Sequence, residues 1–255
     1  MNNSPCFTII TASYNSEKTI AKTIKSVLNQ DFTDFEYLII DGNSNDSTLK
    51  IIKSFELKFK EKNINYNYIS EPDNGIYDAW NKGIKMSSGE WISFLGSDDT
   101  YFSDALTVYF KEIKKHPESN YISSQVNLVN SDGKILQVFG EKYNWKNVIS
   151  DINVAQVGSF HKKQLFNQVG LYSLDYKIVG DLDFYIRCKD FIRPTYFTKV
   201  TANMENGGVS NQIYLALKEA FNVKQKYGYK SKIFNYYKFY TSLLKCYIKM
   251  VINKK

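Results

Sequence analysis

Residues 7–12 (FTIITA) are almost uninterruptedly apolar, the pattern of a short strand covered on both faces, and a helical spacing follows at Ile20, Ile24, Val27 and Leu28. A second strand is expected over 36–41. Asp46 or Ser47 can cap a second helix carrying Leu49, Ile52 and Phe59, after which 66–70 reads as a third strand. Residues 79–86 make a short helix and 91–95 a fourth strand. Strand and helix thus alternate through the first hundred residues, which calls for an α/β fold with a Rossmann-like, doubly wound, mostly parallel sheet.

Beyond residue 99 the rhythm changes. A helix is expected over 104–115, then strands over 121–129 and 135–139 joined by Ser131-Asp-Gly-Lys134, a hairpin signal. Two more helices follow, 162–169 and 182–191, the latter capped by Asp181 or Asp183. No internal repeat, low-complexity tract or linker interrupts the chain before residue 210. From 231 to 252 a helical stripe of Ile233, Tyr236, Tyr237, Tyr240, Leu243, Leu244, Tyr247, Ile248 and Val251 faces away from Asn235, Lys238, Ser242, Lys245 and Lys249. This is an amphipathic helix with excess lysine.

A chain of 255 residues, 43% hydrophobic and 16% aromatic, buries a substantial core, which predicts one main domain with an appendage. The formal charge of +7 looks like a nucleic-acid signature until it is mapped. Residues 224–255 hold nine lysines and no acid, so the remainder is slightly acidic. Cys6, Cys188 and Cys246 make no C-x-x-C pair, and a reduced, cytosolic compartment is the expectation. The opening Met-Asn-Asn-Ser-Pro lacks the basic start and apolar core of a signal peptide, and no run approaches the length of a membrane-spanning helix. The chain is expected to be soluble or held on a membrane surface.

Candidate chemistry gathers where the strands give out. In a doubly wound sheet the loops at strand carboxyl ends share one edge, so 11–15 (TASYN), 41–46 (DGNSND), 71–75 (EPDNG) and 96–99 (GSDD) are predicted to line one crevice. The adjacent carboxylates Asp98 and Asp99 repel unless a cation sits between them, usually hydrated Mg²⁺ or Mn²⁺ with phosphate oxygens on its far side. Ser-Asp-Asp before a helix is also ordinary capping chemistry. Asp41, just before a glycine, suits hydrogen bonding to a base or ribose and equally suits a turn. No G-x-G-x-x-G follows the first strand and no G-x-x-x-x-G-K-[ST] occurs, so phosphate has to be held by a cation at Asp98 and Asp99, by backbone N–H groups and by Lys82. His161 reads as a packing or hydrogen-bonding residue and His116 as a helix end. Residues 206–210 (NGGVS) read either as a loop closing over a ligand or as a linker.

Five strings, FTIITASYN, DGNSNDST (41–48), EPDNGIYDAWNKGI (71–84), SGEWISFLGSDD (88–99) and GDLDFYIR (180–187), together resemble family 2 glycosyltransferases of the GT-A fold, over residues 6–210. The resemblance implies a glycosyltransferase domain over 1–210, with a nucleotide-sugar half at 1–100 and an acceptor half at 101–210, followed by a basic, aromatic, helical extension at 211–255. It implies a divalent cation, Mn²⁺ or Mg²⁺, at the Ser97-Asp98-Asp99 motif, with Asp99 the direct ligand and Asp98 reaching the ribose or the metal. Thr11, Tyr14 and Asp41 fall on nucleoside-binding positions, while Asp73, Gly75, Asp78, Asn81 and Lys82 lie in the segment near base and diphosphate. Asp181 matches the catalytic base near the acceptor. Gly180 stands where many relatives place a glutamate, and Asp183 is the alternative base. Because Asp183 and Arg187 are four apart and can pair on a helix face, Asp183 reads as structural, and an N-cap is the other role open to Asp181.

The function so implied is single-sugar transfer, with inversion, from a nucleotide diphosphate sugar, UDP-sugar favoured, to a hydroxyl of a surface glycan that is lipid-linked as in many relatives. The Q-x-x-R-W segment and membrane helices of processive synthases are absent. A cytoplasmic enzyme, peripheral on the inner face of the plasma membrane, is the expected setting. The C-terminal helix suits packing on the main domain, contact with an anionic membrane surface, or pairing in a homodimer. A sugar nucleotidyltransferase would carry a glycine-rich basic loop after the first strand, which 11–17 lacks. The remaining rival is a non-catalytic nucleotide-sugar-binding or membrane-binding scaffold, against which the intact acidic motifs argue. Nucleic acid is not an expected partner, since an acidic crevice repels a phosphate backbone.

Overall fold

The computed structural model describes residues 4–150, 153–207 and 212–252, with side chains described as far as residue 244. The first half runs β1 (Phe7–Ser13), α1 (Ile20–Leu28), β2 (Phe35–Asp41), α2 (Thr48–Lys53), α3 (Glu56–Glu61), β3 (Asn65–Ser70), α4 (Ile76–Met86) and β4 (Trp91–Phe94). These four strands pair in parallel in the order β3-β2-β1-β4. The second half adds β5 (Thr100–Tyr101), α5 (Ala105–Lys115), β6 (Tyr121–Val129), β7 (Ile135–Phe139), α6 (Trp145–Ser150), β8 (Ser159–Lys162), α7 (Lys163–Val169), α8 (Gly180–Arg187) and β9 (Pro194–Glu205), then α9 (Ile213–Lys226) and α10 (Lys232–Ile252). It continues the same sheet through β8, β6, β9 and β5, with β7 folded back on β6 as the predicted hairpin.

The continuous apolar runs of β1 and β2 are explained by burial on both faces. Ile9, Tyr37 and Ile39 point into one core with Ile20, Ile24 and Val27 of α1, Ile52 of α2, Phe59 of α3 and Tyr109 of α5. Their neighbours Ile10, Leu38 and Ile40 point into the other, with Tyr77, Trp80 and Ile84 of α4, Phe166 of α7 and Leu182 and Phe184 of α8. Each such fully buried side chain contributes roughly 1.5–3 kcal/mol, so the sheet register is strongly specified.

Four sequence expectations are corrected. The single helix expected through Leu49 and Phe59 is broken at Ser54 and Phe55, whose N–H groups donate three residues back to Ile51 and Ile52. The Ser54 hydroxyl also donates to Ile51 O at 2.6 Å, the local competition that loosens helices. The helix expected from 79 begins at Ile76, because Gly75, at φ 110°, makes the turn into it. Helix α8 begins at Gly180 rather than 182, so Asp181 and Asp183 lie within its first turn instead of capping it. Finally, Asn235 does not join the exposed polar face of α10: it is buried and its Nδ2 donates to Tyr229 O at 2.6 Å.

Helix α9 is part of the body. Its Val223 is fully buried in the second core, and α10 lies on it through ring contacts of Phe221 with Tyr236 and Phe239.

Candidate active site

The four predicted loops meet at one edge. Ser13 lies opposite Asp41 and Asp41 opposite Ser70, so β1, β2 and β3 finish level. Two of the loops are laced together: Gly42 N–H donates to Ser13 O at 2.8 Å, Asn15 N–H to Ser44 Oγ at 2.8 Å, Ser16 N–H to Thr48 Oγ1 at 2.7 Å and Asn45 N–H to Asn15 Oδ1 at 2.9 Å. Asn15 and Asn43 hold φ values of 49° and 63°, a left-handed region that asparagine tolerates better than most residues. Asp41 is fully buried and accepts hydrogen bonds from Ser13 Oγ (3.1 Å), Ser44 N (3.0 Å), Ser44 Oγ (2.5 Å) and Ser70 Oγ (2.6 Å). Four donors fill the acceptor positions of a carboxylate, so Asp41 is the knot that ties these loops.

Beside that knot is a notch. A methyl group on Gly42 would lie 2.6 Å from Asp73 Oδ2 and 3.4 Å from the Tyr14 ring, so the missing side chain lets a carboxylate and an exposed aromatic ring come close to the backbone there. Asp73 Oδ1 accepts from Gly75 N at 2.9 Å, and Asp78 Oδ2 accepts from Asn74 N at 3.0 Å, which shapes the loop into α4. Lys82 is drawn to the same loop, donating to Pro72 O at 2.8 Å and pairing with Glu71 at 2.9 Å. Thr11 and Asn81 are placed away from the notch. Thr11 is buried in the sheet and accepts from Tyr37 Oη at 3.0 Å, while Asn81 exchanges hydrogen bonds with the Tyr172 backbone at 2.9 and 3.0 Å.

At the end of β4, Gly96 again makes room. A methyl group there would lie 2.6 Å from Asp99 Oδ2 and 2.8 Å from Asp98 Oδ1, so both carboxylates face one small space. Asp99 is 8% exposed and accepts from Glu205 N at 2.9 Å and Gly96 N at 3.2 Å. Burial first, then the Asp98 charge, pushes its carboxyl up to about 7, and burial raises Asp98 as well. Ser97 Oγ shares a hydrogen bond of 2.8 Å with Ser16 Oγ, joining this loop to the first. No cluster of three metal-ligating side chains occurs among the described residues. The pair nonetheless fits a hard divalent cation, which commonly takes one or two carboxylates and completes its shell with water and substrate phosphate.

Asp181 stands partly exposed in the first turn of α8. Its Oδ1 accepts from Leu182 N at 2.8 Å and from Tyr77 Oη at 3.4 Å, and burial pushes its carboxyl up to about 6. Tyr77 belongs to α4, so a residue anchored beside the notch touches the acid of the other half. Gly180 is required by that contact, because a methyl group there would lie 2.8 Å from the Tyr77 ring. Asp183 is 1% exposed and spent on structure, accepting from Arg187 Nε at 2.9 Å, Tyr227 Oη at 2.9 Å and Lys226 Nζ at 3.1 Å.

Residues 8–149 match the family model for glycosyl transferase family 2, more than half of the chain. The chain is a family 2 glycosyltransferase. A relative from Mycobacterium bovis named "PGL/p-HBAD biosynthesis glycosyltransferase" is 31% identical over 82% of this chain and 80% of its own. The structure of S. aureus TarS 1–349 in complex with UDP-GlcNAc superposes with a TM-score of 0.67 at 19% identity, covering 93% of this chain and 71% of that one. The mannosyltransferase PcManGT from Pyrobaculum calidifontis, in complex with GDP-Man and Mn²⁺, gives 0.67 at 15% identity, covering 91% and 66%. These two likenesses bear on the fold, which is the GT-A arrangement expected from the motifs.

In this glycosyltransferase His161 is a core residue. It is fully buried among Phe94, Tyr121, Phe166, Phe184 and Tyr185, and burial pushes its imidazole down to about 3. Of the loop expected at 206–210, residues 208–210 lie outside the described residues, as do the side chains of Lys245, Cys246, Tyr247, Ile248, Lys249 and Val251. The strand leading to that loop touches the site, since Glu205 N–H is a donor to Asp99. Sequence reasoning missed Tyr77. Tyr77 was visible within EPDNGIYDAW, but its partner Asp181 lies 104 residues away.

Proposed function

We propose that this glycosyltransferase moves one sugar from a nucleoside diphosphate sugar to an acceptor hydroxyl with inversion, using Asp181 as general base. The observation that carries the reading is the pairing of two environments: crowded carboxylates at the end of β4, and a single carboxylate with a raised pKa on α8, held against Tyr77 of α4. In this reading the base stacks on Tyr14 in the notch beside Gly42, within reach of Asp73. Asp41 acts by holding the loops in shape, Gly75, Asp78 and Lys82 act by shaping the loop that carries Asp73, and Thr11 and Asn81 act at a distance, through the sheet and α4. The Asp98 and Asp99 carboxylates would hold Mn²⁺ or Mg²⁺, which supplies neutralisation of the leaving diphosphate.

Asp181 takes the proton from the acceptor hydroxyl as that oxygen bonds to the anomeric carbon and the bond to the diphosphate breaks. A single displacement from the opposite face inverts the anomeric centre. The uridine donor is favoured because the TarS complex contains UDP-GlcNAc, and a surface glycan or glycolipid acceptor because the M. bovis relative is named for PGL/p-HBAD biosynthesis.

The setting we propose is the inner face of the plasma membrane. No helix among the described residues is long and apolar enough to cross a membrane. Helix α10 turns Ile233, Tyr237, Tyr240 and Leu244 outward, 83%, 64%, 62% and 58% exposed, on one helical face in a lysine-rich, acid-free segment. Aromatic side chains with lysine are the composition of an interfacial helix on anionic lipid.

The test is nucleoside diphosphate release from a panel of UDP-, GDP- and dTDP-sugars with Mn²⁺ or EDTA. Release from one donor, lost with EDTA, Asp99→Ala and Asp181→Asn, supports the reading. Full activity of Asp181→Asn would remove the base, and full activity in EDTA would remove the metal.

A further inference from the structure

Glu219 of α9 is 7% exposed, and its carboxylate accepts three backbone N–H groups in a row: Lys177 at 2.9 Å, Ile178 at 2.9 Å and Val179 at 3.2 Å. These are the last residues before α8. The far end of α9 reaches the same short helix, where Lys226 and Tyr227 donate to the buried Asp183 at 3.1 and 2.9 Å. One helix thus grips α8 on both sides of Asp181 in sequence. The grip also passes through Tyr77: its hydroxyl donates to Ile178 O at 2.6 Å, within the peptide run that Glu219 holds, and lies 3.4 Å from Asp181 Oδ1.

We propose that Glu219 is a positioning residue for sugar transfer, holding residues 177–179 so that Tyr77 and the first turn of α8 aim the Asp181 carboxylate at the acceptor. This rests on Asp181 being the general base. Only a carboxylate offers acceptor oxygens to three converging N–H groups without presenting a donor of its own. Glutamine in its place would set an N–H₂ against a backbone N–H and leave a buried donor unmet. A displacement of about 1 Å at a reacting group costs up to about a hundredfold in rate, which is the scale on which such a clamp acts.

Two variants of the full chain, Glu219→Gln and Glu219→Asp, test it, the second keeping the charge while shortening the reach. The first readout needs no donor. With aspartate carboxyl carbons labelled by ¹³C, the Asp181 resonance is assigned by its loss in Asp181→Asn and titrated. The groups facing Asp181 are the phenols of Tyr77 on α4, Tyr121 on β6, Tyr172 before α8 and Tyr185 on α8, all raised by burial and further by Asp181. None of them titrates near neutrality. In both variants the Asp181 midpoint is expected to fall toward the ordinary carboxylate value as water reaches the loosened turn. The second readout uses the donor found in the panel: kcat falls about 10–100-fold while KM for that donor stays within about threefold.

An unchanged midpoint with unchanged kcat overturns the proposal. A midpoint that shifts in Glu219→Gln alone overturns it too, because charge rather than geometry would then be acting. So does a fall in rate that only follows a fall in folded fraction, or failure of both variants to fold. Wild-type turnover by Asp181→Asn instead sinks the base assignment, and that result leaves the titration to judge the clamp by itself.

Discussion

In the proposed mechanism two aspartates with raised pKa values take different tasks, and different neighbours surround them. Asp99 is held at about 7 by burial and by Asp98, against an unfolded value of 3.8. A carboxyl raised in the folded state leaves stability intact below its unfolded pKa and removes it as pH climbs through the folded pKa. Without divalent cation, Asp99→Asn is therefore expected to gain melting temperature relative to wild type between pH 4 and pH 8. Adding Mn²⁺ should stabilise the wild type and not the variant, as scanning fluorimetry would record. Asp181 must be ionised to accept a proton, so kcat should rise with pH through about 6, its raised value. Asp181→Asn is expected to lower kcat by about 10²–10⁴-fold and to leave donor KM nearly unchanged. A flat acid limb in the wild type would argue against Asp181 as the base.

Elements decide where such residues can stand. The notch at Gly42 exists because the loops after β1 and β2 are tied to each other and to Asp41 before any ligand arrives. Gly42→Ala would press a methyl group against Asp73, a clash relieved by swinging that part-exposed carboxylate away from Gly42. The expected result is donor binding weakened about tenfold or more by calorimetry, with little change in melting temperature. Strands β6 and β7 fall where the sequence analysis puts them, because each is bounded by turn residues and rich in β-branched or aromatic side chains. Strand β8, only Ser-Phe-His-Lys, is too short to carry a pattern, and β9 begins at proline and breaks its aromatic and β-branched run with Lys199 and Asn203. They are strands because β6 offers them unpaired edges.

For the whole molecule, the C-terminal segment divides into two roles. Helix α9 is fastened to the body by Val223, by Glu219 and by Lys224 Nζ on Ser150 O at 2.9 Å. Helix α10 rests on α9 and keeps an apolar stripe outward. A chain ending at residue 230 is therefore expected to fold and turn over donor normally but to lose sedimentation with phosphatidylglycerol-containing vesicles. A chain ending at 211 should lose turnover as well, since it lacks the hold on α8. Equal vesicle binding by the full chain and the chain ending at 230 would rule out α10 as the lipid-facing element.

The alternation of apolar runs and helical stripes was enough to determine the parallel half, and the polar strings at its strand ends were enough to say that their loops share one edge. Both are local: a strand buried on two faces must be apolar throughout, and a doubly wound sheet has one edge where its loops collect. What the tertiary structure alone decided was which of those polar side chains remain open. Asp41 and Asn81 look as available in the sequence as Asp73, Asp98 and Asp181, yet their polar atoms are filled by partners 3 to 91 residues distant. Hydrogen-bond satisfaction is a property of packing, because each buried carboxylate takes the donors that folding brings to it, and sequence order does not record them.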